Sequence, residues 1–452
     1  YNELGELIEK NLHQEQSAQG FAQSVDYRYN IRGWLTSINN AQLIATIENN
    51  DTDQATDYWG MELGYNNALT GVTATPAYNG NISAVKWSDK LGQDQRAYAY
   101  QYDPMNRLVD ADHSTLGQAN ANAFDVTIGT VAAPGYDLNG NIETLNRYGK
   151  AGIIDQLSYT YGDQGNQLQY VEDPTAEAEG FINGHSGTTA NPDYAYDDNG
   201  NLTKDLNKGI VGITYNHLNL PETVEKNDRQ LIQYTYDAAG LKLAQQVYET
   251  EVIERASTLS TQWSNNYANR SFVAGPVGGE NDMLRVYATS HDNLHRIVQN
   301  FSEIAGKSVH VKARIYLPSG NTNVNGIQLA VGNYVQNQIY TTTDQWINVA
   351  YILEGENNNN GSVFFSLLSD GATLYVVANS ATDDVFYVKD IEVSTISPTK
   401  STDYVGEFIY ENDEIALVQH EEGRIVPNAI TGEWAYEYYL RDHLGNNRVV
   451  FT

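Results

Sequence analysis

The segment Tyr196-Asp197-Asp198-Asn199-Gly200-Asn201-Leu202 is the clearest copy of a phrase that recurs along this chain. Its Asp and Asn have short side chains that hydrogen-bond back to the local backbone, and its Gly accepts a positive φ without steric cost. Alternating strand-like residues precede the phrase, and an apolar residue follows it. Each copy of this tyrosine-turn phrase therefore predicts a β-hairpin turn with a tyrosine at the end of the incoming strand.

The copies predict a fold that is assembled by stacking one small unit many times. The tyrosines Tyr196, Tyr215 and Tyr236 follow one another at 19 and 21 residues, which is the length of one hairpin. A single hairpin cannot bury its own apolar face, so neighbouring hairpins must pair edge to edge in a long curled sheet, a β-shell or β-solenoid-like fold. The residues predicted to build the turns are Tyr102, Asp103, Tyr136, Asp137, Gly140, Tyr196, Asp197, Gly200, Tyr236, Asp237 and Gly240. Weaker copies lie at residues 27–35, 78–82 and 215–221.

The composition agrees with an all-β fold and excludes several function classes. The 452 residues include 33 Tyr and 37 Gly but only 10 Phe and 3 Met, a bias toward strand and turn residues. The formal net charge of −31 opposes binding to nucleic acid, because like charges repel. There is no cysteine for a disulfide, and no run of about 18 apolar residues that could span a membrane. Because no signal peptide is present, and the chain begins at Tyr1 and stops at Thr452 within a predicted strand, we expect a piece of a longer protein.

A last segment, Tyr438-Tyr439-Leu440-Arg441-Asp442-His443-Leu444-Gly445-Asn446-Asn447-Arg448-Val449-Val450-Phe451, carries the same turn chemistry. Together with the tyrosine-turn phrases it resembles the RHS/YD-repeat family of the type found in Bacteroidetes, and it is similar to the start of the RHS-repeat-associated core. The resemblance covers residues 1–255 as RHS/YD repeats, and residues 399–452 as resumed repeats and the start of the core. It implies that Asp442, His443 and Gly445 satisfy a turn and pack the core rather than catalyse a reaction.

This resemblance implies a secreted or cell-surface structural protein. In that family the repeats wind a β-sheet ribbon into a shell that encloses or presents a C-terminal passenger, which in polymorphic toxins is the toxin. Export from a bacterium is also implied, with an outer-membrane secretion translocon or lipoprotein as partner. The chain stops before the family's self-cleavage site, so we expect no enzyme activity from these residues.

Residues 256–398 lack the tyrosine-turn phrase and predict a separate inserted domain. Six strand-like segments separated by polar loops follow one another there, and their spacing predicts a two-sheet sandwich. These segments lie at residues 272–275, 283–287, 309–316, 346–353, 363–368 and 385–393.

The order of these strands resembles the jelly-roll carbohydrate-binding modules that are fused to glycoside hydrolases. Sugar binding needs aromatic rings on an exposed face, where they stack on pyranose C–H groups, with amide and charged groups for the hydroxyls. The candidate glycan-binding residues are Trp263, Tyr267, Arg314, Tyr316, Asn333, Tyr334, Gln336 and Tyr340. The alternative for each aromatic side chain is a place in the core, which we predict for Trp346.

Modules of this shape also imply a structural calcium ion, which Glu280 and Asp390 would hold here. An ordinary solvated surface pair is the alternative for these two carboxylates. No His pair has the spacing of a metal site, and no third residue completes a catalytic triad with Asp442 and His443. We therefore expect no catalytic residue and no cofactor other than that calcium.

Two functions of different classes remain open. In the first, the repeats enclose or present a passenger that is not in this chain. In the second, the inserted sandwich is an adhesin module that binds surface polysaccharide, and the repeats are a rigid stalk. A protease-resistant passenger would favour the first function, whereas glycan binding that is lost in Tyr316→Ala or Tyr334→Ala would favour the second.

Overall fold

The computed structural model describes most of the chain, which divides into two compact units. The repeat unit comprises Tyr1–Asn227, Tyr234–Gln245 and Ser401–Thr452, and the sandwich unit comprises Asp228–Gln233 and Gln246–Lys400. The domain boundaries proposed from the sequence, at residues 255/256 and 398/399, stay predictions. The residues described are 1–14, 21–43, 57–92, 94–118, 122–162, 165–175, 177–256, 264–266, 268–273, 283–288, 296–300, 305, 307–319, 324–331, 334–335, 340–353, 362–369, 385–428 and 431–452.

The first sheet of the repeat unit has eleven strands that pair in the order of the chain. All neighbours are antiparallel, so the sheet is a meander of the kind that the tyrosine-turn phrase predicts. The strands are β1 (Glu9–Leu12), β2 (Gln23–Tyr29), β3 (Leu35–Ile38), β4 (Trp59–Gly64), β5 (Ala84–Asp89), β6 (Arg96–Tyr102), β7 (Leu108–Thr115), β8 (Val126–Thr127), β9 (Thr144–Tyr148), β10 (Ile153–Tyr161) and β11 (Leu168–Glu172).

A second meander follows in the repeat unit, with neighbours in the order β12 to β17 and then β27 to β32. Its strands are β12 (Tyr194–Tyr196), β13 (Leu202–Asp205), β14 (Ile210–Tyr215), β15 (Pro221–Lys226), β16 (Gln230–Tyr236), β17 (Lys242–Ala256), β27 (Val385–Val405), β28 (Phe408–Glu411), β29 (Glu414–His420), β30 (Gly423–Pro427), β31 (Trp434–Arg441) and β32 (Asn447–Phe451). Strands β16, β17 and β27 each belong partly to the sandwich unit. A 3₁₀ turn, Leu206–Lys208, links β13 to β14; Asp205 caps it, and Gly209 ends it with a left-handed φ of 67°.

The sandwich unit is built from two five-stranded sheets. One has the order β19-β20-β27-β22-β25, and the other has the order β18-β21-β26-β23-β24. The strands not yet named are β18 (Ser264–Asn266), β19 (Ala268–Val273), β20 (Met283–Ala288), β21 (Arg296–Asn300), β22 (Val309–Tyr316), β23 (Val324–Val331), β24 (Tyr334–Val335), β25 (Trp346–Leu353) and β26 (Ser362–Ser369).

The core of the sandwich unit lies between these two sheets. In β22, Val311, Ala313 and Ile315 are buried, whereas Lys312, Arg314 and Tyr316, which alternate with them, are partly exposed, because side chains on a strand point to opposite faces in turn. The buried residues pack against Leu329 and Val363 of the facing sheet. The predicted two-sheet sandwich is therefore confirmed.

The repeat unit has a core of its own, in which the last hairpin packs on the first strands. Leu440 of β31 and Phe451 of β32 share a buried cluster with Val25, Trp59 and Met61. Burial of one such large apolar side chain contributes roughly 1.5–3 kcal/mol. The two ends of the repeat unit are thus fixed to each other by apolar contact.

The fold class follows from these elements. Wherever the structure describes the chain, the regular elements are strands apart from the single 3₁₀ turn, so the predicted all-β class is confirmed. Among the same residues, no helix is long and apolar enough to cross a membrane.

Candidate functional site

One five-residue turn recurs along an edge of the repeat unit, and residues 197–201 show its geometry. The N–H of Asp197 donates to the carbonyl of Asn201 at 2.9 Å, and the N–H of Gly200 donates to the carbonyl of Asp197 at 3.0 Å. Oδ1 of Asp197 accepts from the N–H of Asn199 at 3.0 Å and from that of Asn201 at 2.8 Å. Gly200 has a φ of 83°, which a residue with a Cβ adopts only with strain. The Asp side chain therefore satisfies two N–H groups inside the loop.

Eight turns in the described part of the chain share these hydrogen bonds. The first residue is always Asp or Asn, and the fourth is a Gly or Asn with a left-handed φ, such as Gly140 at 91° and Asn106 at 66°. The turns begin at Asn2, Asn30, Asp103, Asp137, Asp197, Asn216, Asp237 and Asp442. The structure places the predicted turn residues Gly140, Gly200, Gly240 and Gly445 at the fourth position.

Three of the turn carboxylates, those of Asp103, Asp137 and Asp197, are held in the ionised state. Burial by itself would raise the pKa of Asp103, Asp137 and Asp197, but hydrogen bonds from their own turns outweigh it and lower the pKa of each. A carboxylate with a lowered pKa stays charged at neutral pH, and its lone pairs are already occupied by N–H groups. These aspartates are therefore suited to closing loops and not to transferring protons.

Among the described residues, seven tyrosines along this edge donate their hydroxyl to a backbone carbonyl of an earlier segment of the chain. The hydroxyl of Tyr215 donates to the carbonyl of Leu202 at 2.7 Å, and Leu202 directly follows the Asp197 turn. We call this contact a tyrosine latch. The other latches are Tyr29 to Leu7 at 3.1 Å, Tyr65 to Leu35 at 2.9 Å, Tyr102 to Ile82 at 2.8 Å, Tyr136 to Leu108 at 2.6 Å, Tyr161 to Ile142 at 3.0 Å and Tyr196 to Leu168 at 3.1 Å.

Side chains at the turn tips also join neighbouring turns. The Arg107 guanidinium pairs with Asp103 at 2.7 Å and lies over the ring of Tyr136, 4.4 Å from its centroid. Tyr236, which precedes the last turn before the sandwich unit, lies against Tyr234 with ring centroids 6.4 Å apart. Amide contacts link Asn79 to Asn106 at 2.6 Å, Asn199 to Asn219 at 3.1 Å and Asn141 to Asn166 at 3.1 Å. The turns thus form a row along one edge of the repeat unit, which we call the turn edge.

The terminal signature is one more turn of this kind. Oδ1 of Asp442 accepts from the N–H groups two and four residues ahead, both at 2.9 Å, and Oδ2 pairs with Arg448 Nη2 at 2.6 Å. Burial lowers the pKa of His443, the second residue of the turn, and Gly445 has a φ of 84°. The signature thus closes a loop that begins two residues after the core residue Leu440.

In the sandwich unit, the face of β22 opposite the core carries a row of aromatic rings. Tyr316 lies between Trp346 on β25 and Tyr387 on β27 in the strand register. Its ring centroid is 5.6 Å from that of Trp346 and 6.1 Å from that of Tyr387. All three side chains are partly exposed. We call Tyr316, Trp346 and Tyr387 the aromatic face.

Charged and amide groups border the aromatic face. The Arg314 guanidinium and the Lys389 ammonium lie 5.7 and 5.8 Å from the Trp346 ring centroid, and Asn348 is exposed opposite Arg314. Hydrogen bonds from Ser319 lower the pKa of Asp344. Burial, and then the charge and hydrogen bond of Asp344, raise the pKa of the Tyr316 hydroxyl.

The structure brings together two of the predicted glycan-binding residues, Arg314 and Tyr316. Tyr340 is placed elsewhere, with its ring against the sandwich core and its hydroxyl 3.3 Å from the carbonyl of Ala350. Tyr334 forms part of β24, but its side chain lies outside the described residues. Trp263, Tyr267, Asn333 and Gln336 also lie outside them.

The prediction that Trp346 belongs to the core is wrong. Trp346 opposes Tyr316 in the register, so it shares the outward face of that residue, whereas Val349 points inward and is buried. The alternation of residues in β25 could have indicated that Trp346 faces outward, because Asn348 lies two residues further on the same face and is exposed. Tyr387 was also missed, because only the β22–β27 pairing places it beside Tyr316.

Of the two predicted calcium ligands, the structure describes only Asp390. Glu280 lies outside the described residues. Asp390 stands at an irregularity of the β22–β27 pairing, with a left-handed φ of 51°, and its Oδ2 lies 3.8 Å from Arg314 and 3.9 Å from Lys389. Two cations beside this carboxylate oppose the binding of a third. Nowhere in the described residues do three His, Asp or Glu side chains group to hold a metal.

Comparison with known proteins yields structural neighbours only. No family model matches the chain, and no curated protein matches it. The CBM22-1-CBM22-2 tandem domain of Paenibacillus barcinonensis Xyn10C is similar at 12% identity and a TM-score of 0.25, over 40% of this chain and 64% of that one. The CBM22-2 xylan-binding domain of the same protein is similar at 13% identity and a TM-score of 0.23, over 31% of this chain and 96% of that domain.

A second kind of neighbour extends over nearly the whole chain. TcdB2-TccC3-TEV is similar at 9% identity and a TM-score of 0.25, over 94% of this chain. The chain spans only 23% of the length of that protein, and just under two thirds (64%) of the tandem domain.

Proposed function

We propose that the chain is a non-enzymatic structural protein of the RHS/YD-repeat type. In this proposal the repeat unit is a β-sheet wall that encloses or presents a passenger, outside a bacterium or on its surface, after export through an outer-membrane translocon or on a lipoprotein. The main support is the turn edge, where the polar side chains of eight turns and seven latches form their hydrogen bonds within the edge itself.

The energetics of the turn edge suit such a wall. A net intramolecular hydrogen bond contributes about 0.5–1.5 kcal/mol, so each latch adds a modest amount at one hairpin. Because the latches recur from hairpin to hairpin, their stabilisation is spread along the sheet, and no single opening event releases it. The pKa values of Asp103, Asp137 and Asp197 are lowered by hydrogen bonds from their own turns, which makes these carboxylates poor candidates for acid–base chemistry at neutral pH.

Enclosure can be tested with a protease-sensitive tag. The same short unfolded tag is placed after Thr452 in one protein and before Tyr1 in another, and cleavage rates are compared under native conditions. Enclosure predicts cleavage about 10-fold slower after Thr452, since proteolysis follows the population of open states. Tyr136→Phe combined with Tyr161→Phe, which removes two latches, should restore fast cleavage. Equal rates at both ends in the unmodified protein would refute enclosure.

The aromatic face supports a second function, binding of surface polysaccharide by the sandwich unit. The rings of Trp346 and Tyr387 lie 5.6 and 6.1 Å from that of Tyr316, and Arg314, Lys389 and Asn348 border them. Partly exposed rings with polar groups at their rim match the needs of a sugar, which stacks its apolar face and hydrogen-bonds its hydroxyls. In this proposal the repeat unit is a rigid stalk.

A glycan array followed by calorimetry tests this second function. Trp346→Ala and Tyr316→Ala should each weaken binding about 10-fold, because a stacked ring contributes roughly 0.5–1.5 kcal/mol beyond its buried area. Trp434→Ala provides a matched control, since Trp434 is 49% exposed in the repeat unit. Equal affinity in all three variants and the wild type would exclude the aromatic face as the binding surface.

A further inference from the structure

The turn edge is interrupted by one long loop, and a recess forms beside it. Five-residue turns close most hairpins on this edge, but the loop between β4 and β5 runs from residue 65 to residue 83. Between this loop and the Asp103 turn lies a cavity of about 470 Å³. Its lining includes Tyr78, Asn79, Asn81, Gln101, Tyr102 and Asn106. This volume lies within the roughly 300–1,000 Å³ that small-molecule sites span.

Tyr78 presents its ring on a backbone that is fixed in place. The N–H of Ala77 donates to the carbonyl of Tyr65 at 2.9 Å, and Asn79 Nδ2 donates to Asn106 Oδ1 at 2.6 Å. Gly80 has a φ of 100° and packs on the Trp34 ring, where an added Cβ would lie 3.2 Å from a ring carbon. The loop is thus anchored on both sides of Tyr78, yet Tyr78 is 71% exposed. Because the backbone around Tyr78 is already anchored, a ligand that stacks on its ring need not order the loop.

The polar groups of the recess are carboxamides and hydroxyls rather than charges. Asn106 Oδ1 already accepts from Asn79 Nδ2 at 2.6 Å and from Asn81 Nδ2 at 3.4 Å, and Gln101 Nε2 donates to a carboxylate on β7. The acceptors Asn81 Oδ1 and Gln101 Oε1 and the donor Asn106 Nδ2 are the amide groups that remain for a ligand. The carboxylate of Asp103 also lines the recess, but it is occupied by its own turn and by Arg107. Amides beside an aromatic ring recognise the vicinal hydroxyls and the C–H face of a sugar.

We propose that this recess is a binding site for a neutral saccharide, with Tyr78 stacking on a pyranose ring and the amides of Asn81 and Asn106 contacting its hydroxyls. The site belongs to the repeat unit and is independent of the aromatic face in the sandwich unit. It adds a ligand to a unit whose proposed role is structural.

The test uses the full chain carrying Tyr316→Ala and Trp346→Ala, so that the aromatic face does not contribute. Neutral tetrasaccharides of glucose, xylose, mannose and N-acetylglucosamine are the probes, with saturation-transfer NMR for detection and calorimetry for affinity. At least one probe should bind. Tyr78→Ala should weaken that binding about 5- to 10-fold, and Tyr78→Phe should keep it, because the ring face carries the stacking energy.

Two further variants separate binding from folding. Asn106→Gly removes the amide but keeps a residue that tolerates the left-handed φ of 66°, and it should also weaken binding. Leu138→Ala, at the exposed tip of the Asp137 turn, should leave affinity unchanged. The proposal is overturned if no probe binds, or if binding survives both Tyr78→Ala and Asn106→Gly in protein whose circular dichroism is that of the parent.

Discussion

Replacing Asp442 by Ala should open the last hairpin of the repeat unit, β31 and β32. The substitution removes the acceptor for the backbone N–H groups of Leu444 and Asn446, each 2.9 Å from Oδ1. It also leaves Arg448 without the carboxylate that lies 2.6 Å from its Nη2. No other side chain in this turn can take the place of that carboxylate, because the Asp is the first residue of the loop that it closes.

The size of the effect follows from the exposure of each partner. A hydrogen bond to a charged acceptor contributes about 1.5–3 kcal/mol, and the Asp442 side chain is only 1% exposed, so two such bonds to the backbone are lost in a shielded place. The Arg448 side chain is 49% exposed, and an ion pair of that kind adds roughly 0–1 kcal/mol. Allowing for non-additivity, Asp442→Ala should cost about 3–5 kcal/mol. Asp442→Asn keeps a neutral acceptor and should cost about half as much.

Hydrogen–deuterium exchange read by mass spectrometry measures this cost where it arises. Protection of Trp434–Arg441 and Asn447–Phe451 should fall by about 100-fold or more in Asp442→Ala, since each 1.4 kcal/mol is a factor of about ten. Asp198→Ala is the matched control, because Asp198 is the exposed second residue of an equivalent turn. If Asp442→Ala and Asp198→Ala give the same protection, the turn carboxylate does not hold the hairpin and the reasoning fails.

Other features of the repeat unit give predictions of the same kind. Tyr161→Phe removes the latch to Ile142 and should lower the free energy of unfolding by about 0.5–1.5 kcal/mol, measured as faster hydrogen–deuterium exchange in the two hairpins that the latch joins. Unchanged exchange would mean that the hydroxyl bonds only to water. Gly140 has a φ of 91°, so Gly140→Ala should lower the free energy of unfolding by roughly 1–2 kcal/mol, and Gly140→Asn should lower it less. Urea denaturation measures both changes, and equal midpoints for the two variants and the wild type would contradict the need for a left-handed backbone. Burial, assisted by neighbouring charges, raises the pKa of Tyr27 and Tyr100 from 10.0 to about 12, which corresponds to roughly 2–3 kcal/mol each. That stability is complete below pH 10 and is lost as the pH rises through 12, so thermal melting should drop across this window, and less steeply in Tyr27→Phe.

The turns could be predicted from the sequence because their determinants are local. Asp137 and Gly140 lie within one five-residue loop, and their chemistry fixes its geometry without help from distant residues. The latches are different, since the tyrosine and its acceptor come from separate copies with loops of varying length between them. Tyr215 reaches back 13 residues to its acceptor and Tyr196 reaches back 28, so no fixed spacing in the sequence marks the pair.

The aromatic face shows the same limit on a larger scale. The residue types of Arg314 and Tyr316 suggested a binding face, but the partners of Tyr316 are set by strand pairing. Trp346 and Tyr387 come from strands 30 and 71 residues further along the chain, and only the register with β22 places both beside Tyr316. Alternation identifies which side of a strand is outward, but not which strand lies next to it.

Carboxylates that accept hydrogen bonds from loop residues hold both the five-residue turns and an irregular loop of the repeat unit. Two fully buried aspartates, Asp155 and Asp193, hold the irregular loop between β11 and β12. Asp155 accepts a hydrogen bond from the N–H of Phe181, and Asp193 lies 2.7 Å from His185 Nδ1. In the five-residue turns, the Asp carboxylate accepts its hydrogen bonds almost entirely from N–H groups of its own loop. A turn that satisfies its own polar groups does not depend on the length of the next loop, so a loop of nearly twenty residues can replace one turn without disturbing its neighbours. The recess beside Tyr78 lies at such a replacement, where a binding site can form on a wall that stays intact around it.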